Sequence, residues 1–202
     1  CGKNSVQPCG NKKNNTMKNF NLENLLRDNI KALKPYSSAR DEFSGEGDYL
    51  FFDANENALG SVGSEINYNR YPDPYQREVK ALIAEQQNVE TNQIFLGNGS
   101  DEAIDLLFRA TCEPKLDKVI ITPPTYGMYQ VSANINGVEC VKIPLTTDYQ
   151  PNTEAIIEAA KDESIKLIFL CSPNNPTGNL LDEEKMIAII ENTNAIVIVD
   201  EA

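Results

Sequence analysis

The sequence predicts an α/β protein built on a mostly parallel sheet with helices on both faces. Two observations predict it. Short apolar runs alternate with stretches of helical periodicity along most of the chain, the pattern that strand–helix–strand crossovers impose. Two of those runs, in "KLIFL" (166–170) and "AIVIV" (195–199), stay apolar without alternating, as strands covered on both faces do.

The elements follow in order. Residues 1–16, "CGKNSVQPCGNKKNNT", are rich in Asn, Lys and Gly, lack periodicity and begin without Met. They are expected to be a disordered or non-native tail outside the fold. "LENLLRDNIKAL" (22–33) reads as a polar helix running into Pro35. "YLFFDANEN" (49–57) reads as a short strand and a polar loop, and "RYPDPYQ" (70–76) as a turn-rich loop. "QREVKALIAEQQN" (76–88) puts Val79, Leu82 and Ile83 on one helical face. Strand "QIFLGN" (93–98), helix "DEAIDLLFRATCE" (101–113) and strand "KVIITPP" (118–124) come next. Helix "YGMYQVSANINGVE" (126–139) leads to strand "CVKIPL" (140–145), and helix "TEAIIEAAKD" (153–162) to strand "IKLIFLCSP" (165–173). Helix "DEEKMIAIIENT" (182–193) and strand "AIVIVDEA" (195–202) complete the series, with no internal repeat.

Composition narrows the function. The chain has 202 residues, 41% of them apolar, and a net charge of −12. That charge argues against a nucleic-acid backbone or an anionic membrane as partner. No apolar stretch reaches the roughly 18–20 residues of a membrane span, and no signal-peptide core is visible, so a cytoplasmic protein is expected. Of five cysteines, Cys112, Cys140 and Cys171 lie in apolar contexts and no CxxC occurs, which fits reduced, buried thiols. There is no histidine. A Ser-His-Asp triad, a Cys-His pair and His-ligated zinc are thereby excluded within this chain, and no metal site is expected. The acid, base or electron sink must be borrowed, and a cofactor is the natural lender.

In open parallel sheets ligands bind outside the carboxyl ends of the strands. The loops "GNGSDE", "PPTY", "SPNNPTG" and "DEA" should therefore share one end, and they hold the unusual residues. Gly99 and Ser100 open a helix whose free N–H groups and dipole could seat a phosphate; an ordinary glycine turn with an N-cap reads equally well. Asp101 fits a phosphate seat if its N–H faces the ligand and its carboxylate turns away. Tyr126, directly after a strand, could stack on a flat ring or simply pack. "SPNNPTG" is more specific: Pro173 and Pro176 stiffen the loop, Gly178 releases it, and Asn175 can offer its amide to a phenolate-like oxygen. Asp200 ends a buried strand, where a carboxylate needs a cation such as a protonated ring nitrogen. A helix cap or a magnesium ligand are its alternatives, the latter without any GxxxxGK[ST] loop to support it.

Together these motifs resemble the fold-type I pyridoxal-phosphate aminotransferases, and more narrowly the histidinol-phosphate aminotransferases. The resemblance covers roughly residues 18–202 and is carried by "LKPYSSAR", "DANEN", "NRYPDP", "GNGSDEAIDLLFRATCEP", "PPTYGMY", "INGVEC", "CSPNNPTG" and "VDEA". It implies a large domain of the fold-type I transferases over 61–202, incomplete at its carboxyl end, preceded by an amino-terminal arm and part of a small domain over 17–60. It implies pyridoxal 5′-phosphate as cofactor. Gly99, Ser100 and Asp101 would meet its phosphate, Tyr126 would stack on its ring, Asn175 would bond O3′ and Asp200 would pair with N1. Tyr71 would reach the phosphate in the neighbouring subunit of a homodimer, and Tyr36 and Asn55 would contact substrate. The implied reaction is amino transfer between glutamate and imidazole-acetol phosphate, giving 2-oxoglutarate and histidinol phosphate.

The chain departs from the family in two places. "NENP" reads "NENA", with Ala58. The Schiff-base lysine of the family lies in an "SxSK" stretch, and no lysine here follows a serine, so no catalytic residue is assigned and Lys166 and Lys185 are not substitutes. The expectation is an amino-terminal part of an enzyme, inactive by itself. A threonine-phosphate decarboxylase-like enzyme and a noncatalytic binding module on the same fold are the alternatives.

Overall fold

The computed structural model of the chain describes residues 20–37, 52 and 54–202. These belong to two compact units, one of residues up to 27 together with 104–202, the other of 28–103. The expected tail over 1–16, the "SAR" end of the first motif and most of the short strand expected at the start of "YLFFDANEN" lie outside the described residues. The helices are α1 (Asp28–Lys31), α2 (Arg77–Gln87), α3 (Ser100–Thr111), α4 (Met128–Ile135), α5 (Thr153–Ala159) and α6 (Glu183–Asn192). The strands are β1 (Lys118–Ile121), β2 (Glu139–Lys142), β3 (Ile165–Cys171) and β4 (Ile196–Asp200).

The four strands form one sheet in the order β2-β1-β3-β4, and every pairing is parallel. The pleat explains the core. On one face, Val119 and Ile121 of β1 and Leu167, Phe169 and Cys171 of β3 meet Ile104, Phe108 and Cys112 of α3 and its following turn, and Tyr129 and Ala133 of α4. On the other, Ile120, Ile168 and Leu170 meet Ile156 of α5 and Ile189 of α6. Helices thus cover both faces, as expected for apolar strands. The central strand β3 is buried almost throughout, whereas every residue of β4 is half-buried. Each large apolar side chain buried here contributes about 1.5–3 kcal/mol of transfer free energy. Side-chain caps start two of the helices: Asn152 accepts from Ala155 N–H at 3.3 Å and Asp182 from Lys185 N–H at 3.1 Å. Cys112, Cys140 and Cys171 are free thiols, in line with the reduced state expected of them.

Three elements differ from expectation. The helix expected over 22–33 is broken into a 3-10 turn (Leu22–Asn24) and the single turn α1. The break comes where Leu25 is buried and Arg27 is captured: its backbone N–H donates to Ala110 O at 3.0 Å, and its guanidinium to Glu113 at 2.9 Å and Arg109 O at 3.0 Å. Packing overrides a weak helical preference there. The strand expected over 93–98 is absent; a 3-10 turn (Thr91–Gln93) precedes irregular backbone. Glu90 and Gln93 close a reciprocal cap at that turn, and Phe95 is exposed, so the three apolar residues 94–96 do not line a core. Finally, α2 forms where expected but leaves Val79 and Leu82 exposed; Ala84 is its one buried residue. Among the described residues no helix is long and apolar enough to cross a membrane.

Candidate functional site

Parallel pairing puts the carboxyl ends of β1, β3 and β4 on one edge of the sheet. The chain runs outward from β1 to β2 and then returns to the other side of β1 as β3, so the winding reverses between β1 and β3. A crevice at that reversal is where such sheets take ligands. The loops that flank it are "PPTY" and "SPNNPTG".

Asn174 joins them. It is buried, and its amide donates to Pro124 O at 3.0 Å and to Thr177 Oγ1 at 2.6 Å. Its backbone N–H donates to Asn179 O at 2.8 Å, closing the loop on itself. Ser172 extends the ladder by donating its N–H to Asp200 O at 2.8 Å, while its hydroxyl accepts from Leu181 N–H at 3.0 Å. Gly178 takes φ +75°, a conformation that costs glycine little. The consequence for Asn175 differs from the sequence expectation of an amide held by the prolines. The loop is fixed through Asn174, and the exposed Asn175 amide makes no hydrogen bond among the described residues.

Asp200, the last residue of β4, lies opposite Cys171 in the ladder. Its Oδ2 accepts the Tyr129 hydroxyl at 2.6 Å and its Oδ1 accepts Ala202 N–H at 3.1 Å. No cation pairs with it among the described residues. Tyr129 is fully buried on α4, stacked on Phe169 at 4.6 Å between centroids and set edge-on to Tyr126 at 5.6 Å and 85°. Burial first, and then the bond to Asp200, push its phenol well above the ordinary tyrosine range. Nearby in sequence, Thr125 Oγ1 is buried without a hydrogen-bond partner among the described residues. Such an atom costs free energy unless something reaches it. The edge thus presents a carboxylate held by two donors, an aromatic ring, a free amide and an unsatisfied hydroxyl.

Tyr126, Asn175 and Asp200 are the residues here to which the sequence points; Asn174 and Tyr129 are not among them. For Tyr129 a signal existed: it follows Tyr126 by three positions, which the helix expected over 126–139 would put on one face, although α4 starts only at Met128 and Tyr126 lies in the loop before it. For Asn174 the signal was the Asn-Asn pair between prolines, in which one amide can point inward and the other outward.

The remaining candidates lie in the 28–103 unit. Gly99 has φ +77°, and no heavy atom lies within 4 Å of the position a Cβ would take, so its surroundings are open. Ser100 is the first residue of α3 and does not cap it. Glu102 reaches back instead, accepting the N–H of Asn98 and standing 2.7 Å from where a Cβ on Gly97 would be. Asp101 sits in the same first turn. The "NEN" and "RYPDP" loops are stitched together through Glu56, which the sequence did not single out. Its carboxylate accepts Tyr71 N–H at 2.8 Å and pairs with Arg70 at 2.9 Å, and only 4% of that side chain is exposed. Tyr71, Asn55 and Tyr36 are exposed, with Asn55 at φ +50°.

A family model described as aminotransferase class I and II matches residues 45–202. The chain is 53% identical over 188 residues to a histidinol-phosphate aminotransferase of Flavobacterium johnsoniae, a match covering 92% of this chain and 52% of that one. It is 55% identical over 184 residues to a histidinol-phosphate aminotransferase of Cytophaga hutchinsonii, covering 91% and 52% respectively. It spans about half the length of the curated relatives it matches. Among solved structures, the histidinol-phosphate aminotransferase of Clostridium acetobutylicum aligns with a TM-score of 0.57 at 30% identity, over 66% of this chain and 39% of that one.

Proposed function

Because the chain belongs to the class I and II aminotransferases, we propose that it builds the cofactor face of a histidinol-phosphate aminotransferase in histidine biosynthesis. The reaction is reversible amino transfer between glutamate and imidazole-acetol phosphate, in the cytoplasm, with pyridoxal 5′-phosphate as cofactor. When bound, that cofactor supplies the electron sink that stabilises a carbanion at the amino-acid Cα.

The residues at the sheet edge fit such a group. It carries a ring nitrogen that accepts a proton, a phenolic oxygen, a flat π-face and a phosphate. Asp200 is the one observation that carries the reading: an unpaired carboxylate, held by two donors, at the ligand edge of a parallel sheet. It would keep a proton on the ring nitrogen, each unit of raised nitrogen pKa being worth about 1.4 kcal/mol. Tyr126 would cover one ring face, and the free amide of Asn175 would donate to the phenolic oxygen. The N–H groups around Gly99, Ser100 and Asp101 would hold the phosphate, and open space at Gly99 admits an anion close to the backbone. Tyr71 would reach the phosphate in the other subunit of a homodimer; Tyr36 and Asn55 would contact substrate. No lysine of the 202 residues is assigned to the cofactor's aldehyde, and residues 61–202 are read as large domain, 17–60 as arm and small domain.

The test is made on the full encoded chain. Pyridoxal phosphate titration should give saturable binding, and glutamate with imidazole-acetol phosphate should give 2-oxoglutarate and histidinol phosphate. Asp200→Asn should abolish turnover while leaving the thermal midpoint of the unliganded protein within a few degrees. Carbon dioxide release from threonine phosphate in place of amino transfer would overturn the substrate assignment. Unaltered turnover in Asp200→Asn would overturn the role of the site.

A further inference from the structure

Resting on the reading of Asp200 as partner of a protonated ring nitrogen, we infer that Tyr129 is a positioning residue for that carboxylate, acting through its hydroxyl and not through its bulk. Three observations meet at this side chain. The hydroxyl donates to Asp200 Oδ2 at 2.6 Å. The ring cannot swing away, because it is fully buried and clamped by stacking on Phe169 at 4.6 Å and by the edge contact to Tyr126 at 5.6 Å. And Tyr129 and Asp200 sit on different elements, α4 and β4, so their bond fixes a helix to the strand end that carries the carboxylate.

The geometry assigns the two oxygens of Asp200 different donors: the phenol takes Oδ2 and the Ala202 N–H takes Oδ1. A carboxylate offers about four lone-pair sites, so each oxygen keeps one for a further partner. Together the two bonds hold the plane of the carboxylate fixed. Without the phenol, the half-buried carboxylate is held by one remaining bond and can turn out of line with the ring nitrogen it would pair with, so that the nitrogen would shift toward its neutral form. Phe169 and Tyr126 supply the clamp without the donor, which separates the packing of Tyr129 from its chemistry.

Tyr129→Phe in the full chain keeps the ring and removes only the hydroxyl. Two readouts follow it: affinity of the unliganded protein for pyridoxal phosphate, and the ring-nitrogen resonance of bound ¹⁵N-labelled cofactor across pH. The variant should bind roughly tenfold more weakly, the loss of one hydrogen bond to a charged group. Its resonance should move toward the neutral-pyridine position, beginning at lower pH than in the parent. Site-specific 3-fluorotyrosine at 129, a stronger donor of nearly the same shape, should move the resonance the other way. A resonance and pH profile identical to the parent's in both variants would overturn the inference, even if the thermal midpoint fell, because Tyr129 would then be a packing residue. If the parent itself bound no cofactor, or Asp200→Asn left the nitrogen signal unchanged, the functional reading would fail first. The two failures are therefore distinguishable.

Discussion

At the scale of single residues, the chain separates groups that shape the backbone from groups that offer chemistry. Gly99 is the clearest of the first kind. Its φ of +77° lies in the left-handed region, yet a Cβ there would touch nothing within 4 Å. Substitution is therefore penalised by backbone conformation alone, and an L-residue pays about 1–2 kcal/mol in that region. Gly99→Ala should lower the urea midpoint by an amount equivalent to about 1 kcal/mol, and Gly99→Asn by distinctly less, since Asn tolerates the left-handed region. Equal losses in the two variants would show that side-chain crowding matters there. Gly97, two residues earlier, presents the opposite case. A Cβ on it would press on Glu102 Oε2 at 2.7 Å and on Phe95 Cε1 at 2.8 Å, both movable side-chain atoms, and so would disturb the Glu102 bond to the Asn98 N–H. Asp200 and Asn175 are of the second kind: one is held by its neighbours, the other left free by a neighbour that does the holding.

At the scale of elements, the turn between α5 and β3 shows how a strand start is secured. Asp162 accepts from the Ser164 hydroxyl at 2.7 Å and the Ser164 N–H at 3.0 Å, and pairs with Lys118, the first residue of β1, at 3.2 Å. The pair lies where the β1–β3 register shifts, between Lys118 and Val119. Those bonds, the Ser164 hydroxyl first, lower the Asp162 carboxyl from 3.8 to about 2. A folded-state value below the unfolded one means stability that is fully present above about pH 4 and is lost as pH falls toward 2. In Asp162→Asn, urea midpoints measured from pH 5 to 2 should fall less steeply than in the parent; parallel curves would show that Asp162 does not contribute to acid lability. Elements of this kind were unevenly legible. β3 and the helices α3 to α6 could be read because their apolar spacing coincides with what the sheet buries. "QIFLGN" could not, because three apolar residues next to a glycine look the same whether or not a strand partner exists. At the candidate site, Asp200 could be placed from the sequence because it ends β4, and Tyr126 because it lies in the loop that follows β1. The site was not legible at Tyr129 or Asn174, whose roles depend on which loop or strand end the fold sets against them.

At the scale of the whole chain, burial is concentrated. Among the described residues, strands β1 and β3 hold half of the largest fully buried side chains, and within 28–103 Ala84 is the one buried hydrophobic residue. In the same stretch Leu59 and Val62 are each 97% exposed, and Ile66, Tyr68, Tyr71, Tyr75 and Leu82 are exposed as well. Ordering a residue costs about 1–2 kcal/mol of backbone entropy. Segment 54–76 recovers little of that by burial and relies on bonds such as those of Glu56 and Asn69. Amide exchange should therefore be slowest over 118–121 and 165–171 and fast over 54–76, because exchange reports local opening and local opening follows buried apolar contact. The proposed homodimer adds a condition that makes this decisive. If a second copy covers these apolar side chains, protection over 54–76 should rise with protein concentration while protection over 165–171 does not change, since mass action stabilises only what the partner touches. Protection over 54–76 that is high at every concentration would mean that the chain itself covers the segment, and the homodimer would lose its physical motive.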